Sequence, residues 1–441
     1  MPTKDWNGKF QGVGNGGYAG AVGYGQLAAI VSKGYATAGT DTGHRAGGQD
    51  ARWALNNPDK IVDFGHRAIH ETAVAAKALI KAHYGEAAKR SYFNSCSNGG
   101  RQALMEAQRY PEDYDGIIAG APANYWSALL SSAASGSKAL LADKASYIPS
   151  SKLPTIQAAV RASCDLLDGV KDGVLEDPAQ CRFDPAPLLC NGAESDSCLT
   201  TPQLEALRKV QSGLVDAKGR RLFPPISPGG EAEQGGWGPW ITGTAPEKSS
   251  MFAFGTQFFK NMVYSNPDWD FRTFETGRDF KVANKRMAPI LDATNPDLTR
   301  FQGRGGKLIM YHGWSDAAIP GQNTINYFRS VQKKMGAART GGFVRLFMAP
   351  GVQHCAGGSG ANVFGQAGPP QRDADHDIGA ALERWVEQGV APERIIATKY
   401  KDQSQASGVE KTRPLCAYPM VAKYKGSGDT NDAASFSCAA P

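Results

Sequence analysis

Short apolar runs alternate with segments of helical period along the first third of the chain. Asn7 to Val13 reads as a strand that runs into Gly14-Asn15-Gly16-Gly17-Tyr18-Ala19-Gly20. Leu27 to Ile30 reads as the end of a short helix. Gly34 to Asp41 reads as a second strand, followed by a loop with His44. From Phe64 to Tyr84, apolar or small residues recur at Ala68, Ala73, Ala76, Leu79 and Ile80, the spacing of one helical face, and Gly85 can cap the C-terminus. Arg90 to Asn94 is a third strand and Gln102 to Tyr110 a helix. Gly116 to Pro122 is an apolar strand ending in a turn. This strand–helix alternation predicts a mostly parallel sheet.

The pattern changes after Ala123. To about residue 300 the chain is aromatic, cysteine-bearing and loop-rich, with few clear strands. Lys307 to Gly313 and Phe343 to Met348 then restore the core-strand pattern, and Asp377 to Gln388 reads as a closing helix with Ile378, Ala381, Leu382 and Trp385 on its apolar face. The expected fold is α/β: an α/β-hydrolase core with a large inserted cap (lid) domain. Residues 1–123 and 301–441 would form the core and 124–300 the cap.

Composition narrows the function classes. The 441 residues are 41% hydrophobic and 20% charged, enough for a large core. The net charge of +6 is spread along the chain without a basic block, which gives no support for a nucleic-acid partner. No apolar run reaches the length of a membrane span. The eight cysteines form no CxxC pair, which argues against a zinc ribbon. The close spacings Cys164/Cys181, Cys190/Cys198 and Cys416/Cys438 suggest local disulfides and an oxidising compartment, secreted or periplasmic. The opening Met-Pro-Thr-Lys-Asp-Trp lacks the basic and apolar regions of a signal peptide, so an export signal is expected upstream of this start.

Ser97 is the first candidate for chemistry. It lies between a strand and a helix in Ser95-Cys96-Ser97-Asn98-Gly99-Gly100-Arg101-Gln102, with small residues two positions to either side. That fits a nucleophile elbow, although Ser95 stands where the first glycine is usual, and an ordinary glycine-rich turn reads much the same. The two late strands each end in a loop with a polar candidate, His312-Gly313-Trp314-Ser315-Asp316 and Gln353-His354-Cys355. The order Ser97, Asp316, His354 is that of α/β-hydrolases. His354 would take the Ser97 proton, and Asp316 would hold the imidazole. The Asn98 N–H, with Gly16 or Gly17, would receive the oxyanion. His312, at a strand end, is expected to satisfy a backbone carbonyl, and His44, His83 and His376 carry no spacing signal. His66 and His70 lie four apart, but Arg67 stands where a zincin needs glutamate. Cys96 precedes the proposed nucleophile and Cys355 follows the proposed base. If Ser97 and His354 touch, a disulfide there would tie the two loops together.

Cys96-Ser97-Asn98-Gly99-Gly100-Arg101-Gln102, Gly14-Asn15-Gly16-Gly17, Gly313-Trp314-Ser315-Asp316 and His354-Cys355 together resemble the tannase and feruloyl esterase family, which includes mono(2-hydroxyethyl) terephthalate hydrolase. The resemblance spans Trp6 to about Cys438. It implies a Ser-Asp-His triad, the Cys96–Cys355 disulfide, a cap domain, and an N-terminal segment with a signal peptide that this sequence lacks. It also bears on Cys164 to Asp177. Three aspartates in a glycine-bearing loop offer hard oxygen ligands, though Leu167 rules out an EF-hand. The resemblance implies a structural Ca²⁺ held by Asp165, Asp168 and Asp172 side chains and Val170 and Val174 carbonyls, in a loop closed by Cys164 and Cys181.

Cap aromatics would wall the substrate, with Trp240 foremost and Phe254 and Phe258 behind it; core packing is the competing role for the phenylalanines. Terephthalate half-ester specialists use a cation in the cap, and Lys260 is the only cation between Phe252 and Tyr264. The expected function is a serine carboxylesterase for phenolic acid esters, monomeric or homodimeric, with a small-molecule aromatic ester as partner. Hydrolysis of mono(2-hydroxyethyl) terephthalate is the alternative among enzymes. An inactive phenol- or carbohydrate-binding protein on the same fold is the alternative of another class.

Overall fold

The computed structural model describes residues 1–366 and 373–441. Six strands form one central sheet: β1 (Lys9–Gly12), β2 (Ala36–Ala38), β3 (Arg90–Cys96), β4 (Gly116–Gly120), β5 (Lys307–Gly313) and β6 (Val344–Ala349). Their order is β2-β1-β3-β4-β5-β6, and every pairing is parallel. The expected α/β layering is therefore present. The register decides where chemistry can gather. Cys96 lies opposite Gly120, Gly120 opposite Tyr311, and Gly313 opposite Ala349. The C-terminal ends of β3 to β6 are thus level, and the loops leaving them meet along one sheet edge.

Both faces of the sheet are covered, so its middle strands are apolar almost throughout rather than alternating. All of β4 is buried. On one face Phe10, Phe93, Ile117 and Met310 pack with Leu104 of the helix Asn98–Arg109 and Phe328 of the helix Gly321–Met335. On the other, Ile118, Ile309 and Phe347 pack against Leu382 and Trp385 of the helix Ile378–Gln388. Asp377 caps that helix by accepting from the N–H groups of Gly379 and Ala380.

The 186 residues between β4 and β5 depart from the loop-rich expectation. They carry six helices: Trp126–Leu141, Leu153–Cys164, Thr201–Ser212, Ser250–Gln257, Lys281–Leu291 and the short Thr299–Gly303. Their strand content is as sparse as expected, one short ribbon of Leu214–Val215 and Arg221–Phe223. Serine, alanine and glycine hide the first helix in the sequence. It is buried on most of its surface, so no polar stripe alternates with an apolar one. Beyond Gln388 the chain makes two antiparallel ribbons that the sequence pattern did not reveal. Arg394–Tyr400 pairs with Val409–Cys416, and Val421–Tyr424 with Phe436–Ala439. All eight cysteines are paired, as Cys96–Cys355, Cys164–Cys181, Cys190–Cys198 and Cys416–Cys438. No helix among the described residues is long and apolar enough to cross a membrane.

Candidate active site

Ser97 is the single residue between β3 and the helix Asn98–Arg109, and its φ is +67°. A non-glycine residue in that region costs about 1–3 kcal/mol and persists only where its surroundings impose it. Here they do. The Ser97 N–H donates to the Gly120 carbonyl at 3.0 Å, and the Ser97 carbonyl accepts from Arg101 and Ala123. A Cβ on Gly99 would lie 2.0 Å from Ser95 Oγ, and one on Gly100 would lie 2.3 Å from the Gly120 carbonyl oxygen. The turn is so tight that the helix begins at Asn98, four residues before the expected Gln102.

His354 Nε2 lies 2.9 Å from Ser97 Oγ, and His354 Nδ1 lies 2.8 Å from Asp316 Oδ2. An Nδ1–H donated to the carboxylate leaves Nε2 free to accept the serine proton. Asp316 is fully buried, and its other oxygen accepts the N–H groups of Ala318 and Ile319 at 2.8 and 2.9 Å. Burial pushes its carboxyl up, but the His354 imidazole and hydrogen bonds from His312 and His354 hold it well below the usual carboxylate range. His312 does satisfy a backbone carbonyl, that of Ile319, at 2.9 Å. It also stands 3.2 Å from Asp316 Oδ2, a support with no local signature among the residues around it.

The base loop is braced from the inserted segment. Glu233 Oε2 accepts from the Gln353 side chain at 3.2 Å and from the Ser359 N–H at 3.1 Å, and Arg161 donates to Glu233 Oε1 at 2.7 Å. An acidic residue in a glycine-rich loop carries no motif, so Glu233 was invisible in the sequence. Cys355, disulfide-bonded to Cys96, takes a φ of +64° beside it.

On the opposite side, Asn98 opens its helix, where backbone N–H groups have no intrahelical acceptor. Its side-chain Oδ1 accepts from Arg101 Nε at 2.8 Å. Arg101 is fully buried and donates also to the carbonyls of Phe64, Gly65 and Leu291. Burial pulls its guanidinium down to about 9. Gln102 accepts the Asn15 N–H at 2.9 Å, and the Asn15 side chain donates to the Ala21 and Thr40 carbonyls. Together these bonds hold the glycine loop against the elbow. Gly17 has a φ of +53°, and a Cβ there would lie 2.3 Å from the Gly48 carbonyl oxygen. The N–H groups of Gly16 and Gly17 meet no acceptor among the described residues.

Ser97, His354, Gly16 and Gly17 open on a cavity of about 370 Å³. Trp240 and Phe254 line it. The Trp240 ring meets His354 edge-on at 5.0 Å and stacks with Phe254 at 6.2 Å. Phe258 does not line it. It begins the wide helical turn Phe258–Val263, is wholly buried, and packs on Phe259 at 5.3 Å in the inserted segment's own core. Its assignment as a substrate wall is therefore corrected to core packing. Lys260 does not line the cavity either.

The acidic loop stands away from this cavity. Asp165 accepts the Gly173 N–H, Asp168 those of Val170 and Glu176, and Asp172 that of Val174. Asp172 also pairs with Arg413 at 2.8 Å. Burial first, then neighbouring carboxylates, push Asp165 and Asp168 upward, against the backbone N–H groups that lower them. Among the described residues no group of three or more His, Cys, Asp or Glu side chains is arranged to hold a metal ion.

Chains similar to this one are esterases, and the protein is a carboxylic ester hydrolase. An uncharacterized esterase of Xanthomonas campestris pv. campestris is 42% identical, over 99% of this chain and 80% of that one. A probable feruloyl esterase B-2 of Aspergillus flavus is 36% identical, over 94% and 79%. The crystal structure of feruloyl esterase B from Aspergillus oryzae superposes with a TM-score of 0.91 at 31% identity, covering 99% of this chain and 85% of that one. The family described as tannase and feruloyl esterase matches residues 1–439, and the chain belongs to it.

Proposed function

We propose that the protein hydrolyses esters of aromatic acids of the feruloyl type through a Ser97 acyl-enzyme. One observation carries this reading: Ser97, His354 and Asp316 are joined by hydrogen bonds of 2.9 and 2.8 Å at the mouth of an apolar, aromatic-walled cavity. Ser97 Oγ attacks the ester carbonyl while its proton passes to His354 Nε2. The carbonyl oxygen becomes an oxyanion facing the N–H groups of Asn98 and of Gly16 or Gly17. Loss of one such donor lowers turnover about 10²- to 10³-fold. His354 then gives the proton to the leaving alkoxide as the C–O bond breaks. In the second half a water gives a proton to His354 as it attacks the acyl carbon, and His354 returns that proton to Ser97 Oγ as the acyl C–O bond breaks and the acid is released. Asp316 stays ionised throughout and stabilises the imidazolium.

The segment between β4 and β5 acts as a cap in this reading. Its contribution of Trp240, Phe254 and about half of the cavity lining, over a sheet edge that supplies the reacting groups, supports that role. Four disulfides support a secreted or periplasmic location. The aspartate loop has donors suited to Ca²⁺: Asp165, Asp168 and Asp172 side chains with the Val170 and Val174 carbonyls would hold it, Asp172 exchanging Arg413 for the ion. Its contribution would be structural, offsetting the crowding of carboxylates in a loop closed by Cys164–Cys181.

Replacement of Ser97 by alanine tests the mechanism. Turnover of methyl ferulate is expected to fall at least about 10⁴-fold with the melting temperature maintained; full activity would reject the acyl-enzyme. Chelator treatment followed by metal analysis tests the ion, with a lower melting temperature expected. Equal melting curves for verified metal-free and Ca²⁺-supplemented protein would reject it.

A further inference from the structure

Two buried side chains beside the glycine loop take no part in the proton transfers, Tyr18 and His44. Both hold the turn that presents the second oxyanion donor. In that turn the Ala19 N–H donates to the Gly16 carbonyl at 2.9 Å, and Gly16 and Gly17 face the cavity. His44 Nε2 lies 2.8 Å from the Tyr18 carbonyl oxygen. A carbonyl only accepts, so that nitrogen carries the hydrogen. The His44 ring stacks on Trp53, with centroids 3.8 Å apart. The Tyr18 N–H donates to the Gly48 carbonyl at 2.8 Å. The Tyr18 side chain runs into the inserted segment. Its ring packs on Trp126 and Phe254, at 5.5 and 5.3 Å, and its hydroxyl donates to the Phe254 carbonyl at 2.9 Å. Burial pushes that hydroxyl well above its ordinary 10, so it stays a donor. The Phe254 ring presses on the same turn, 2.9 Å from where a Cβ on Gly17 would lie.

We infer that Tyr18 and His44 are positioning residues for the oxyanion site, and that through Tyr18 the helix Ser250–Gln257 of the inserted segment holds the Gly16–Gly17 donors in place. The inference rests on the reading of Ser97 as nucleophile and of Gly16 or Gly17 as an oxyanion donor. Two adjacent glycines leave this backbone free to turn, whereas a donor acts only when it is aimed at the position the oxyanion will occupy. The neighbouring side chains supply the missing restraint. His44 fixes the plane of the peptide that follows Tyr18. The Tyr18 hydroxyl ties the residue after the donors to a main-chain oxygen inside a helix. The adjoining loop is fastened to the same helix, because Gln49 Nε2 donates to Ser250 Oγ at 2.9 Å and the Ala51 N–H to Gln257 Oε1 at 3.2 Å. A donor that loses its aim binds the tetrahedral oxyanion less well and the planar ester about as before. The cost therefore falls on kcat rather than on KM.

The test compares the intact protein with Tyr18→Phe, His44→Leu and His44→Gln. Phenylalanine keeps the packing and loses the hydroxyl. Glutamine can return an N–H to the Tyr18 carbonyl, and leucine cannot. On methyl ferulate, kcat is expected to fall about tenfold in Tyr18→Phe and in His44→Leu, with KM within about twofold, and His44→Gln to recover most of the loss. An aryl trifluoromethyl ketone reports on the oxyanion site directly. Its carbonyl carbon bonds to Ser97 Oγ, the serine proton passes to His354, and the ketone oxygen becomes the oxyanion. Its Ki should rise by about the factor that kcat loses, while the Ki of planar cinnamamide stays within about twofold. The ratio of the two Ki values does not depend on how much of a variant is folded, so it separates aim from stability. An unchanged ratio in Tyr18→Phe and His44→Leu, or equal losses in His44→Gln and His44→Leu, would overturn the inference and leave the Ser97 mechanism standing. A parent enzyme that the ketone does not inhibit would reject the Ser97 mechanism, and the inference with it.

Discussion

The floor and the walls of the cavity are held by different means. On the floor, Ser97, Asp316 and His354 hang from level strand ends, and backbone geometry leaves each little freedom. Ser97 and Cys355 sit at positive φ, Gly99 and Gly100 touch neighbours where a methyl would collide, and Asp316 is locked by two backbone N–H groups. The walls come largely from helices of the inserted segment, with Ala317 to Ile319 after β5. Leu129, Leu130, Trp240 and Met251 are placed by side-chain packing, with little backbone constraint. Under the proposed mechanism, substitution on the floor is expected to remove chemistry and substitution in the walls to re-rank substrates. A volume-conserving exchange among packed apolar groups costs little, and a one-atom change in a triad costs orders of magnitude.

The sharpest way to break this contrast is Asp316→Asn. The shape is kept, but the Nδ1–H of His354 loses its carboxylate, and kcat should fall by about 10⁴-fold at neutral pH with KM little changed. A loss below tenfold would mean that His354 is oriented by something else, His312 being the nearest alternative. Glu233→Gln tests the boundary between the two regions, because Glu233 belongs to the inserted segment yet braces the base loop. Three charge-assisted bonds weaken, so kcat should fall roughly tenfold while KM stays within about twofold. A change confined to KM would return Glu233 to the walls. His66→Gln probes the support under the floor, with the smallest effect. His66 lies in the turn whose Phe64 and Gly65 carbonyls hold Arg101. Burial first, then the charges of Arg109, Arg101 and Arg67, lower its imidazole to about 4 from the ordinary 6.5. Between those values the unfolded chain binds more protons than the folded one, so stability rises with pH across that window and is lost as pH falls through it. The variant should show a flatter melting temperature between pH 6.5 and 4 than the parent. An unchanged slope would assign the acid sensitivity to other groups.

How much of this was legible in the sequence follows the same division. A strand end fixes where the next few residues go, so Ser97, Asp316 and His354 could be read from their order after three strands, and Cys96 and Cys355 from their adjacency to two of them. Arg101 and Gln102 stood in the quoted motif, but their roles depend on what they touch: carbonyls at Phe64, Gly65 and Leu291, and the Asn15 N–H. Such partners lie far away in the chain and leave no local pattern. The helix Trp126–Leu141 was missed because a helix buried all round shows no amphipathic period. Phe258 was misassigned because an aromatic four residues after Phe254 shares its face only while the helix stays regular, and the widened turn at Phe258 turns it into the core.

The Cys96–Cys355 bond closes a covalent ring across a sequence separation of 259 residues, which takes in the whole inserted segment. A protease that cuts once anywhere in that segment therefore releases nothing. The nicked molecule keeps its mass and migrates as an uncut chain until a reductant is added. The exposed connections of the walls can be severed while Ser97 and His354 remain on one covalent frame. That bond separates cleavage from dissociation.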